Sequence, residues 1–131
     1  DLLTLTQQKL PVKIVIFNNG TLGFVELEMK AAGFLPTGVT LDNPDFSALA
    51  RSAGIYGVRV EDPGDLEKAV REAFAHKGPA LVDVVTNRQE LSMPPKIQLE
   101  QMKGFSLWAL RTVMNGRGDE LIELARSNIR R

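Results

Sequence analysis

The sequence predicts an α/β fold: a parallel sheet with helices on both faces, followed by a C-terminal amphipathic helical tail. Three observations carry this. Val12–Phe17 and Ala80–Val85 are short, apolar, β-branched runs with little alternation, the pattern of strands buried in a parallel sheet, and Tyr56–Val60 reads as another strand between them. Helical spacing separates them, in the order strand, helix, helix, strand, helix, strand, and such alternation places helices on both faces of parallel strands. After about Asn87 the strands stop and two amphipathic helical stretches follow.

Each element has local causes. Asp1 to Leu10 reads like the back half of a helix and is closed by Pro11, because the residue before a proline is biased away from helix. The first residue is not Met, so the chain is expected to begin inside a larger domain. Val12–Phe17 is the first strand, broken by Asn18-Asn19-Gly20-Thr21. Leu22 to Ala32 has helical spacing and Gly33 is its expected stop. A loop with Pro36 and Gly38 leads to a short helix over Asp45 to Ala53, ended by Gly54. Pro63-Gly64-Asp65 starts the next helix, whose apolar face is Leu66, Ala69, Val70, Ala73 and Phe74. Gly78-Pro79 precedes the third strand.

In the tail, Ser92-Met93-Pro94-Pro95 reads as a rigid, extended joint, Ile97 to Met114 as one helix and Asp119 to Ile129 as a second. The expected division is 1–89 for the α/β portion and 90–131 for the helical tail. Residues 90–131 carry seven Lys or Arg against five Asp or Glu, +2, on a chain of zero formal charge. A mildly basic amphipathic tail is compatible with an anionic bilayer. The same spacing also suits packing on this protein or on a partner subunit, the reading the pattern alone favours.

Composition narrows the function. At 44 % hydrophobic and 24 % charged, the 131 residues are globular rather than disordered. Sixteen basic residues balance sixteen acidic ones, so the basic excess of a dedicated nucleic-acid binder is missing. With no Cys, disulfides, zinc–thiolate sites and thiol nucleophiles are excluded, and a reducing, cytoplasmic setting fits. No apolar run reaches the roughly 18 residues of a transmembrane helix.

The informative stretch is Phe17 to Glu28, where a parallel strand ends and a helix begins. Ligands of open α/β sheets bind at this edge. A helix N-terminus there offers N–H groups to an anion, and Asn side-chain or loop carbonyl oxygens are hard neutral ligands of the kind Mg²⁺ accepts. Asn-Asn-Gly after a strand is also an ordinary turn. His76, near a helix end, reads as solvent-facing or carbonyl-capping. Asp83, in an apolar strand, reads as a strand-end hydrogen-bonding group or a buried site residue.

Val15-Ile16-Phe17-Asn18-Asn19 resembles the close of the motif that opens with Gly-Asp-Gly in thiamine-diphosphate enzymes of the pyruvate oxidase and acetolactate synthase superfamily. The opening half is missing and is expected upstream of Asp1. Within the superfamily the resemblance is strongest to bacterial pyruvate:quinone oxidoreductases. It is carried by Lys9-Leu10-Pro11-Val12-Lys13-Ile14-Val15, Leu22-Gly23-Phe24-Val25, Glu28-Met29-Lys30-Ala31, Leu81-Val82-Asp83-Val84-Val85 and the tail from Lys103-Gly104-Phe105 through Gly116-Arg117-Gly118 to Ala125. The tail is the most specific part, on the expectation that related synthases and decarboxylases lack it.

The resemblance implies a partial thiamine-diphosphate (pyrophosphate) binding domain. Asn19 would give its side-chain oxygen and Thr21 its backbone carbonyl to Mg²⁺. Gly20, Thr21, Leu22, Gly23, Phe24 and Val25 would line the diphosphate end and the reaction cavity. Phe24 matches a mobile aromatic that assists electron transfer between thiamine and flavin, and Glu28, one turn later, a carboxylate bordering the substrate pocket. Core packing and a solvated helix face are the alternatives for these two. The implied reaction is oxidative decarboxylation of pyruvate to acetate and CO₂, with electrons passing through FAD, bound mainly by a domain absent here, to ubiquinone. The implied enzyme is a homotetramer, cytoplasmic and peripheral on the inner face of the cell membrane. Phe105, Trp108, Leu110, Leu121, Ile122, Leu124 and Ile129 would meet anionic lipid, with Arg111, Arg117, Arg126, Arg130 and Arg131 near head groups. The chain alone is expected to be inactive. An acetolactate synthase-like or 2-keto acid decarboxylase activity, or a non-catalytic α/β binding module, stands as the alternative.

Overall fold

The computed structural model describes residues 1–89 and 99–129, Ile129 by its backbone only. The expected joint at Ser92–Pro95, Ile97, Arg130, Arg131 and the side chain of Ile129 lie outside the described residues. Two compact units emerge: Asp1–Asn19 with Asp42–Thr86, and Gly20–Leu41 with Asn87–Arg131. These units do not follow a division at residues 89 and 90.

The first unit is the parallel sheet. Strands β1 (Lys13–Asn18), β2 (Tyr56–Val60) and β3 (Ala80–Val85) lie in the order β1-β3-β2, with Val15 opposite Val82 and Val58 opposite Val82. The central strand, β3, is buried from Ala80 to Val84. Its alternation divides the core. Ala80, Val82 and Val84 pack with Val60 and with Ala69 and Ala73 of one helix (Leu66–Ala75). Leu81 packs on the opposite side with Ala50 and Ile55, joined by Leu2, Leu5, Ile14, Ile16 and Phe46. These residues bring in two short helices, α1 (Leu2–Gln7) and α3 (Phe46–Ser52). Helices thus cover both faces, as expected. A 3-10 turn at Pro63–Asp65 opens the Leu66–Ala75 helix, here α4, and Asp62 caps the 3-10 turn by accepting from the Gly64 N–H at 2.8 Å.

One expectation for this unit fails. β1 is an edge strand of the described sheet rather than one buried on both faces: Val15 is 40 % and Phe17 75 % exposed. Ile14 and Ile16 point to the α1/α3 side, whereas Val15 and Phe17 point to the face that α4 covers only over β2 and β3.

The second unit is helical. It holds α2 (Gly23–Ala31), α5 (Leu99–Met114) and α6 (Gly118–Ile129). Gly33 ends α2 in the left-handed conformation, φ 81°, and the Phe34 N–H closes back on the Met29 carbonyl at 2.9 Å. α5 lies against α2. A Cβ at Gly104 would sit 1.7 Å from the Ala31 carbonyl oxygen, so the two backbones meet where only hydrogen fits. Arg111 reaches from α5 to the Gly33 carbonyl at 2.5 Å and so completes the α2 C-terminus with a cation.

Candidate functional site

The strand-to-helix turn spans the end of one unit and the start of the other, and each part is held by its own neighbours. In the first unit, Asn18 closes β1. Its carbonyl accepts from the Thr86 N–H at 3.0 Å. Its side chain donates to Asp83 Oδ1 at 3.2 Å and accepts from Asn43 at 2.9 Å. Asp83, on the central strand, has no exposed surface and also accepts from Arg59 at 2.8 Å. Arg59 in turn binds Glu61 at 2.8 Å, and these contacts raise its already high pKa. Asn19 is the last residue of this unit.

In the second unit, Gly20 has φ 64°, with no heavy atom within 4 Å of a Cβ built there. The turn therefore requires glycine for its backbone, and its surroundings are open enough for a ligand to approach the main chain. Thr21 is buried and pairs with Thr40 in an antiparallel bridge. Its hydroxyl donates to Glu26 at 2.7 Å and lies 3.0 Å from the Val39 carbonyl. Leu22 precedes α2, and no side chain caps the helix start. Leu22, Phe24 and Val25 are exposed, Phe24 by 74 %, and Gly23 is half-buried. Core packing is therefore not the role of Phe24 in this chain. Glu28 is also exposed, one turn on, and borders an open groove with Gly104 and Leu107 of α5.

The residues that sequence reasoning missed lie on the inner face of α2. Glu26 and Lys30 form a buried ion pair of 2.8 Å. Lys30 donates to Gln89 at 3.0 Å, and its ammonium lies 5.0 Å from the centroid of the Trp108 ring. Arg88 approaches Glu26 at 3.4 Å and donates to Thr40 at 3.0 Å. Burial pushes the Glu26 carboxyl up, but the hydrogen bonds from Lys30 and Thr21 and the charges of Lys30 and Arg88 outweigh it and hold it below the ordinary value. The signal was present as a Glu-Lys pair at i, i+4, a spacing that more often marks a solvated face.

The tail residues expected to meet lipid divide. Leu110 and Ile122 are exposed, and Leu121, Leu124 and Phe105 are half-buried. Trp108 is a correction: it is 1 % exposed, packed edge-on to Phe105 and against Lys30, and unavailable to a bilayer in this arrangement. Leu99, Met102, Val113 and Met114 are exposed instead. Arg117 pairs with Glu120 on α6. His76 stacks on Tyr56 at 5.3 Å, a packing role. Among the described residues no cluster of three His, Cys, Asp or Glu could hold a metal, and no helix is long and apolar enough to cross a membrane.

Residues 1–84 match the model of the thiamine pyrophosphate enzyme C-terminal TPP-binding domain. The chain belongs to this family. It is 35 % identical, over 97 % of its length, to a Bacillus subtilis (strain 168) protein, YdaP, described as thiamine pyrophosphate-containing. It is 31 % identical, over 88 % of its length, to the acetolactate synthase large subunit of Cyanidium caldarium. The solved thiamine diphosphate-dependent 4-hydroxybenzoylformate decarboxylase of Rhodococcus jostii RHA1 superposes with a TM-score of 0.59 at 36 % identity, covering 66 % of this chain and 16 % of that one. The chain spans 22 % of the YdaP protein and 20 % of the synthase subunit. A synthase aligned over 88 % of the chain runs into residues 90–131.

Proposed function

We propose that the chain is the magnesium–diphosphate portion of a thiamine-diphosphate-dependent enzyme acting on a 2-keto acid, with pyruvate as substrate. The observation that carries this is the family match over residues 1–84, which includes strand β1, ending at Asn18, and the Asn19-Gly20 turn after it. The donors on offer suit Mg²⁺: the Asn19 amide oxygen and the Thr21 carbonyl are hard, neutral oxygens. The Gly20 turn has room for close approach, and the uncapped start of α2 suits an anionic diphosphate. Once bound, the cofactor supplies an electron sink for decarboxylation. This chain's residues bind and orient it, while Phe24, Val25 and Glu28 form part of the cavity wall. Two donors are too few to hold Mg²⁺ well, so the isolated chain is inactive and the full-length enzyme is the working unit.

The fate of the decarboxylated substrate has two readings. Carboligation to acetolactate is favoured by relatives named acetolactate synthase. Oxidation to acetate, with FAD and ubiquinone as acceptors in a homotetramer peripheral to the inner face of the cell membrane, rests on the resemblance to pyruvate:quinone oxidoreductases carried by Lys9–Val15, Leu22–Val25, Glu28–Ala31, Leu81–Val85 and the tail. Its lipid-facing stripe would be Leu99, Met102, Leu110 and Val113 rather than Trp108. Incubating the full-length enzyme with pyruvate, Mg²⁺ and thiamine diphosphate, with and without a ubiquinone analogue, separates the readings by product. Acetolactate without an acceptor supports the synthase, and acceptor-dependent acetate supports the oxidase. No cofactor-dependent consumption of pyruvate contradicts both. For the tail, loss of anionic-vesicle binding on truncation before residue 99 supports membrane docking, and unchanged binding removes it.

A further inference from the structure

We propose that Asp83 is a positioning residue for the metal-binding turn: its buried carboxylate fixes the side chain of Asn18 and thereby the strand end from which Asn19 departs. This deepens the proposed function and rests on Asn19 being a magnesium ligand.

Asp83 lies at the middle of the central strand with 0 % exposure, and it meets two donors on the strands either side of it, Asn18 of β1 at 3.2 Å and Arg59 of β2 at 2.8 Å. An ionised carboxylate only accepts hydrogen bonds. It therefore dictates which way the Asn18 amide faces: the NH₂ turns to Asp83 and the carbonyl oxygen turns out, where the Asn43 NH₂ donates to it at 2.9 Å. The Asn18 main chain is held independently by the Thr86 N–H at 3.0 Å. The residue before Asn19 is thus fastened through backbone and side chain, and the loop carrying Asn43 is tied to the same point. The remaining core of this face is apolar, from Leu81, Ile14, Ile16 and Ile55. A buried charge there is weak support for stability, because apolar replacements of buried ion pairs are often neutral or stabilising. Orientation of the adjoining ligand is the role left by the geometry. Partners one step behind a metal ligand commonly govern its affinity.

Asp83→Asn makes a sharp test. Asn18 and Arg59 donate to different oxygens of Asp83, Oδ1 and Oδ2; in the amide one of these becomes an NH₂ facing a donor, and the Asn18 amide loses its fixed orientation. In the full-length enzyme, Mg²⁺ is titrated in the presence of thiamine diphosphate and binding is read from intrinsic fluorescence, beside kcat at saturating metal and cofactor. The expected result is a rise of about tenfold in the Mg²⁺ half-saturation concentration, with kcat at saturation changed less than twofold. Asn18→Ala should raise it similarly, and the double variant no further than either single one. Asn43→Ala, at an exposed position, should move it in the same direction by a smaller factor and decides the matter if Asp83→Asn does not fold. Unchanged Mg²⁺ half-saturation in these variants, or full additivity of Asp83→Asn and Asn18→Ala, overturns the positioning role. Asn19→Ala is the control: if it weakens Mg²⁺ binding while the others do not, only the positioning fails. If Asn19→Ala leaves binding intact, the underlying assignment of the site fails.

Discussion

Gly104→Ala probes the contact that docks α5 on α2. The added Cβ would lie 1.7 Å from the Ala31 carbonyl oxygen and 2.7 Å from its carbon, both backbone atoms. Reaching even the 3.0 Å that real Cβ atoms almost never go below requires the helices to part by about 1.3 Å, the difference of the two distances. No side-chain rotation relieves this, so the overpacking cost falls at the top of its usual range, about 3 kcal/mol. Alanine returns about 1 kcal/mol of helix propensity. The net expectation is a loss of about 2 kcal/mol. The control is Gly118→Ala, at the first position of α6, where a Cβ meets nothing within 4 Å; its effect should stay within about 0.5 kcal/mol. Trp108 is the only tryptophan of the chain and lies one turn beyond Gly104, so its fluorescence in a urea titration reports on this interface directly. If Gly104→Ala unfolds at the same urea concentration as wild type or Gly118→Ala, the close approach of α2 and α5 is wrong.

Other expectations follow from the same unit. Lys30→Met leaves the buried Glu26 with only the more distant Arg88 cation and the Thr21 hydroxyl and should cost about 3 kcal/mol by urea unfolding, the low end for a broken buried pair, while Glu26→Leu with Lys30→Met together should come close to neutral. Trp108→Ala should cost about 3–5 kcal/mol. Trp108→Phe should cost clearly less, since the indole Nε1 has no hydrogen-bond partner to lose; equal losses would point to a missed acceptor. The pH dependence has a definite sign. Folding lowers the Glu26 pKa below 4.5, so its contribution is present above that value and is lost as pH falls through the folded-state pKa. The stability of wild type relative to Glu26→Gln should therefore be constant from pH 7 to 6 and shrink from pH 5 to 3. A constant difference across that range would show that Glu26 does not titrate differently on folding.

Much of this architecture is written locally in the chain. β2 and β3 begin and end where their β-branched runs do, and Gly33 and Gly54 stop helices because each adopts a positive φ. What local pattern could not convey was which strand is central. Val12–Phe17 and Ala80–Val85 look alike, but in the described sheet only the second has a strand on each side, and Phe17 is exposed because α4 covers that face only over β2 and β3. The tail shows the same limit: an apolar stripe announces that something covers it, and Trp108 is covered by Lys30 of a helix almost eighty residues earlier. At the turn, the pairing of Asn with Gly was legible. Asp83 stood out as an acid in an apolar strand, but its partner Asn18, 65 residues away, was not legible; nor was the burial of Glu26, because charged residues are usually on the surface and Arg88 lies 62 residues away.

The central claim is that the turn after β1 holds a magnesium ion together with thiamine diphosphate. A crystal structure of the full-length enzyme with both bound tests it most directly. Asn19 Oδ1 and the Thr21 carbonyl oxygen should each lie about 2.0–2.1 Å from the ion, the distance Mg²⁺ demands. An ion coordinated without either residue, or a diphosphate seated away from the start of α2, would contradict the account.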